Sequence, residues 1–220
     1  MIRDEIATDW PSIIAVTLGI TAFATAQGLT YPLLSFLLKD AALSEGLIGL
    51  HAAAFMVGLV VSVLTLPALN AYARAGTLIV AGLAIAAAAL VGFALTENLI
   101  FWFFLRFVLG YCVNTIYVLG EAWLNAAAND RVRGRVTGVY GAGMSFGFAI
   151  GPLGIAVFGT EDGLAFSICA SFVALVAMLF AILARRAKAE PEPVILREIG
   201  AFFTLSPHLI VLVIIFGIFD

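Results

Sequence analysis

The sequence predicts an all-α integral membrane protein, with six transmembrane helices arranged as an inverted 3+3 repeat and the start of a seventh helix. Three observations predict it. First, 63% of the 220 residues are apolar and 11% charged, against about 45–50% and about 25% in soluble domains. Mean hydropathy is +1.13, and a water-soluble fold of this size has too much surface to hide that much apolar area. Second, the 11 basic and 14 acidic residues avoid six long apolar stretches, inside which only Arg106 and Glu121 fall. Third, the loops alternate between basic and nearly free of basic residues. These features exclude a soluble enzyme, a disordered chain and a disulfide scaffold. The net charge of −3 offers no basic surface for nucleic acid. A β-barrel would need short alternating segments, and none is present.

The spans run 13–38, 47–69, 77–95, 99–124, 136–159 and 164–184. Each meets the ~20-residue requirement for crossing hydrocarbon, within a residue or two. Span 1 contains Ala24-Thr25-Ala26, a mimic of a signal-peptidase site. Asp4, Glu5 and Asp9 oppose Arg3 ahead of it, and the apolar run continues to Leu38, so we read a retained helix. One half of its circumference carries Thr17, Thr21, Thr25, Gln27, Gly28, Tyr31 and Ser35. Threonines can bond their own helix carbonyls. Gln27 has no such easy partner and is, with Tyr31, a candidate pocket residue. In span 2, His51 reads as a buried side chain or a pore residue. Spans 3 and 6 hold almost nothing that hydrogen-bonds and are expected to face lipid.

Span 4 places Arg106, Gly110, Asn114, Tyr117 and Glu121 within roughly 80° of one another. A lipid-facing Arg106 would cost at least ~2.5 kcal/mol, so this stripe is expected to face protein or a water-filled cavity. Arg106 then reads as a counter-charge for an anionic group, a coupling residue, or a structural tie to carbonyls. Glu121, about 22 Å of rise away, reads as a latch to the arginines of Asp130-Arg131-Val132-Arg133-Gly134-Arg135 or as a protonatable carrier site. Span 5 carries Gly143, Gly147, Gly151 and Gly154 on one face beside Pro152, a smooth surface for close helix packing that a bent helix turns into a seam. Cys112 and Cys169 lie inside spans and read as small buried side chains. No metal-ligand spacing, cofactor motif or nucleophile–base pair is present.

Beyond span 6 a linker, 185–206, opens with Arg185-Arg186-Ala187-Lys188 and Pro191-Glu192-Pro193. Ile195, Leu196, Ile199, Phe202 and Phe203, with Arg197 and Glu198 between them, predict an amphipathic helix on the membrane face. A seventh apolar run then stops at Asp220, and its 13 residues rise only about 20 Å. The expected units are thus a bundle over 1–184, a linker over 185–206 and a cut seventh helix over 207–220. One set of loops with the N-terminus holds nine basic residues, and the opposite set holds Lys39 alone. The expectation is an N-terminus in the cytoplasm of a multi-pass protein of the cytoplasmic (inner) membrane.

These residues carry a family resemblance. Gly147-Phe148-Ala149-Ile150-Gly151-Pro152-Leu153-Gly154 resembles the G-x-x-x-G-P-x-x-G element of the fifth helix of the major facilitator superfamily, associated there with antiporters. Arg106-Phe107-Val108-Leu109-Gly110 is similar to the R-x-x-x-G element of that family's fourth helix. Gly120-Glu121-Ala122-Trp123-Leu124-Asn125 with Arg133-Gly134-Arg135 resembles a bacterial subgroup of sugar or drug efflux permeases. The loop from Leu69 to Thr77 departs from the family's G-x-x-x-D-R-x-G-R-K pattern. Arg74 and Gly76 stand where expected, but Ala73 replaces the acidic residue, and Glu121 with Arg131, Arg133 and Arg135 reads as a substitute charge lock. The resemblance covers 13–184, an N-terminal six-helix half, and implies that helices 1, 2, 4 and 5 line a cavity.

It further implies a secondary active transporter that moves a small solute by alternating access, with proton-coupled efflux first. Gln27, Tyr31, Arg106, Asn114, Tyr117 and Glu121 are the path or coupling residues. Gly143, Gly147, Gly151, Pro152 and Gly154 form the seam. Arg74, Asp130, Arg131, Arg133 and Arg135 form the cytoplasmic gate. Expected partners are the lipid bilayer, a small-molecule substrate, protons, and a missing six-helix half or second copy. The rival readings are a half-transporter that carries nothing alone or acts as a homodimer, and an uptake symporter or facilitator.

Overall fold

A computed structural model describes residues 8–160, 163–187, 189 and 191. The expected amphipathic linker helix and seventh helix lie outside the described residues. Six helices follow in order: α1 (Trp10–Asp40), α2 (Glu45–Tyr72), α3 (Ala75–Leu95), α4 (Leu99–Ala127), α5 (Arg133–Phe158) and α6 (Leu164–Ala184). All six are long and apolar enough to cross a membrane, and the described residues contain no strand. Each apolar span reappears as a helix; five are extended by two or three residues at one or both ends, 164–184 is matched as it stands, and α5 stops one residue short of its span. Most extensions carry polar or charged residues, such as Lys39-Asp40, Glu45 and Arg133-Gly134-Arg135, because apolarity marks the hydrocarbon while the backbone ladder continues into the headgroup zone.

Local chemistry sets the ends. Ser44 accepts from the Leu47 amide to start α2, and Asn98 accepts from the Phe101 amide at 3.1 Å to start α4. Asp9 stands at the N-cap of α1 without a side-chain bond to a helix amide; its carboxylate accepts from the Ser12 hydroxyl at 2.8 Å and from the Ala189 amide at 2.9 Å. Its own amide donates to the Ala127 carbonyl at 3.0 Å. One aspartate thereby joins the start of α1, the end of α4 and the chain beyond α6. Gly163 precedes α6 at φ +63°, and a Cβ there would meet the Ala94 backbone at 2.8 Å. Both facts require glycine.

Packing follows the inverted repeat. α1 packs on α5 as α4 packs on α2, and α6 packs on α1 as α3 packs on α4. The pairs α1–α4 and α3–α6 close the bundle. Exchanging α1 with α4, α2 with α5 and α3 with α6 reproduces this whole pattern. The buried faces repeat as well. His51, Phe55 and Ser62 on α2 recur as Val136, Tyr140 and Gly147 on α5, a constant shift of 85 residues. α1 is the most enclosed helix, and α2 and α5 keep broad apolar faces outward. α3 and α6 pack on one another behind α1 and α4, turning Ile85, Val91, Met178 and Ile182 outward.

Candidate functional site

Two seams of backbone contact set the geometry. On α5, Gly143 lies against Thr21 and Thr17, Gly147 against Thr21 and Thr25, Gly151 against Gly28, and Gly154 against Leu29. The predicted glycine face therefore packs on α1. A Cβ on Gly28 would meet the Phe148 carbonyl oxygen at 2.5 Å. That oxygen has lost its helical donor, because residue 152 is proline. Pro32 likewise frees the Gly28 carbonyl, whose carbon lies 2.5 Å from where a Gly151 Cβ would stand. Each proline thus exposes a carbonyl where the other helix approaches as glycine, and Cα–H···O contacts suit that geometry.

The second seam was not foreseen. Gly58 of α2 and Gly110 of α4 face one another, and a Cβ on either would collide with the Phe107 or Phe55 carbonyl. Gly110 therefore faces α2, so of the two expectations for its stripe, protein or a water-filled cavity, it meets protein. Single glycines give no periodic signal, so only the partner helix reveals their role.

Arg106 sits beside this seam and is 2% exposed. Its guanidinium carbon lies 4.5 Å from the Tyr31 ring centroid and 5.0 Å from that of Phe55. The two rings meet edge-on at 5.6 Å. The Gln27 amide donates to the Tyr31 hydroxyl at 3.3 Å, and Gln27 is itself buried. Nε and Nη1 of Arg106 have no hydrogen-bond partner, and no carboxylate pairs with it among the described residues. Gln27, Tyr31 and Arg106, from α1 and α4, thus form one cluster completed by Phe55 of α2. Tyr31, 37% exposed, is its outward member.

Asn114 lies farther along the same seam. Its amide donates to the Ser62 hydroxyl at 3.2 Å, and Ser62 shares a hydrogen bond with Thr115 at 3.0 Å. Thr65 and the Tyr111 hydroxyl are 2.8 Å apart. These hydroxyls tie α2 to α4. His51 is buried edge-on to Phe103 at 5.1 Å, and its Nε2 has no partner. Thr21 and Thr25 bond their own helix carbonyls at 2.8 Å, whereas the Thr17 hydroxyl is buried without a partner.

The stripe on α4 then turns toward α5. Tyr117 lies one turn before the exposed Glu121 on the same face of α4. Tyr140 of α5 faces both, and its hydroxyl is buried without a partner. Glu121 forms no ion pair with Arg131, Arg133 or Arg135. Arg133 pairs with Asp130 at 2.8 Å, while Arg131 and Arg135 are exposed. Arg74 is exposed at the start of α3. No group of three or more potential metal ligands occurs among the described residues.

The two aromatic clusters sit at opposite ends of α4. One encloses a cation between Tyr31 and Phe55; the other flanks an anion with Tyr117 and Tyr140. Phe55 and Tyr140 occupy matching places in the repeat. Comparison with curated proteins gave no match. A family profile described as Major Facilitator Superfamily matches residues 16–219, nearly the whole chain. On that match and this architecture, the chain belongs to the major facilitator superfamily of transporters.

Proposed function

We propose that the chain forms one six-helix body of a secondary carrier that exports a small solute across the cytoplasmic membrane in exchange for protons. The carrying observation is Arg106, a buried cation with unmatched N–H donors beneath Tyr31. A membrane-embedded charge without a carboxylate partner is expensive to hold and is best explained by function. In this reading Tyr31 covers the cation and yields to a solute bearing a negative or hydrogen-bond-accepting group. The glycine–proline seam between α1 and α5 supports rocking, because smooth backbone surfaces slide without unlocking side chains. Export and antiport rest on the resemblance of residues 147–154.

Glu121, with Tyr117 and Tyr140, is the coupling group of this proposal. Proteoliposomes loaded with a pH dye and challenged with a solute library test it. A coupled exporter gives solute-dependent proton flux that Glu121→Gln removes while solute counterflow persists. Solute flux without proton movement would leave a facilitator. Arg131, Arg133, Asp130 and Arg135, with Arg74, remain the proposed cytoplasmic gate, acting there without Glu121 as direct partner in this conformation.

A second six-helix body is also part of the proposal. Val57, Val60 and Leu64 on α2 and Phe146, Leu153 and Val157 on α5 are all more than half exposed. Such faces suit a facing bundle, supplied by further chain or by a second copy. Crosslinking between cysteines placed at 60 and 153 distinguishes a self-assembled pair from a single body.

A further inference from the structure

Arg106 is not alone at its level of the bundle in lacking partners. Its Nε and Nη1 are unbonded on α4, and Nε2 of His51 is unbonded on the facing helix α2. Both residues are 2% exposed. His51 stands one turn before Phe55, whose ring centroid lies 5.0 Å from the Arg106 guanidinium carbon. The imidazole also meets the ring of Phe103 edge-on, centroids 5.1 Å apart, and Phe103 stands one turn before Arg106. His51 is close enough to Arg106 to feel its charge. Buried polar atoms are nearly always bonded. Two orphaned groups converging between α2 and α4, among aromatic rings, mark a place for a ligand.

The lining selects the ligand's chemistry. It offers donors: the guanidinium N–H groups, the imidazole N–H in the tautomer protonated at Nε2, and the Gln27 amide that donates to the Tyr31 hydroxyl at 3.3 Å. Asp40, Glu45 and Glu97, at the same end of the bundle, are exposed, and Glu121 lies about 22 Å along α4. An organic cation would need a carboxylate here, and a polyol would leave the guanidinium charge uncompensated. One buried cation balances one negative charge, which suits a carboxylate and not a phosphate dianion. The walls are rings, with Tyr31 and Phe55 on the guanidinium and Phe103 on the imidazole. A flat aromatic body can replace the Tyr31 ring on Arg106 and keep the cation–π contact, which an aliphatic acid would lose.

We propose that Arg106 and His51 together bind the carboxylate of an aromatic monocarboxylic acid, whose ring displaces Tyr31 from the guanidinium face and packs on Phe55. This assignment rests on the reading of Arg106 as the solute site, and adds to it a second binding residue and a class of solute.

Thermal unfolding of the purified full chain in detergent, at fixed ionic strength, tests it with benzoate, benzamide, cyclohexanecarboxylate, phenyltrimethylammonium and glucose. Benzoate should raise the melting midpoint saturably. Cyclohexanecarboxylate should bind about tenfold more weakly, and the three probes without a carboxylate more weakly still. Arg106→Ala should weaken benzoate more than about thirtyfold, and His51→Phe about tenfold. Tyr31→Ala removes the covering ring and should tighten benzoate binding, which loss of a merely structural tyrosine would not do. Benzamide or phenyltrimethylammonium acting as strongly as benzoate would overturn the assignment. So would undiminished benzoate binding in Arg106→Ala or His51→Phe, or no shift with any probe. Should those variants fail to fold, the preference of wild type for benzoate over benzamide decides it. The site and the carrier fail separately. Arg106-dependent benzoate binding without solute flux in proteoliposomes would keep the site and remove the carrier. Flux of a polyol or cation without benzoate binding would keep the carrier and remove this site.

Discussion

At the residue scale, Arg106 concentrates the functional argument. Its guanidinium is stacked with two rings and lacks an ionic partner. Removing a buried charge that meets a ligand group costs about 2–5 kcal/mol, more than about thirtyfold in affinity. Arg106→Ala should therefore abolish transport in proteoliposomes while membrane insertion and detergent stability survive. Arg106→Lys should recover little, because an ammonium offers neither the planar fork nor the same stacking. Retained transport in Arg106→Ala would remove this residue from the mechanism. The side chains also differ in access. With Cys112 and Cys169 replaced, single cysteines at 31 and 121 should label rapidly with a water-soluble maleimide, and those at 106 and 110 should not.

At the element scale, the seams make opposite predictions for similar residues. Gly58→Leu or Gly110→Leu must separate α2 from α4, costing at least about 1–3 kcal/mol by overpacking. Gly138→Ala on α5 meets nothing within 4 Å and should cost nothing. Thermal unfolding in detergent reads all three. Pro152→Ala should act differently again. It restores a donor to the Phe148 carbonyl, so the melting temperature should rise while transport slows, the usual exchange of mobility for stability. Faster transport would refute a role for the bend. The α5 face was legible in the sequence, because four glycines repeat at helical spacing. The α2–α4 seam was not, because Gly58 and Gly110 are isolated until the helices meet.

For the whole molecule, six apolar helices alternate direction, so the nine-to-one distribution of basic residues predicts topology. Cysteines in loop 39–46 should react with an impermeant reagent added to intact cells, and those in 129–131 only after lysis. The reverse pattern would invert the orientation. Parallel neighbours also explain the connectivity. Contacts between α1 and α5, and between α2 and α4, advance in the same direction along both chains. Consecutive spans run antiparallel, so such partners are necessarily distant in sequence.

The sequence by itself determined the number, length and order of the helices, the polarity of each span and the glycine face of α5. Burial in hydrocarbon demands those features of each span separately. Only the tertiary structure decided that α1 lies on α5 and barely touches α2. It also decided that Gly110 faces α2, that Tyr31 and Phe55 enclose Arg106, and that Glu121 lies near Tyr117 and Tyr140 and forms no ion pair with the arginines. The reason is physical: lipid is as apolar as leucine, so no hydrophobic contrast marks which side of a membrane helix meets another helix. Partner choice is made by close fit, and fit belongs to two surfaces together.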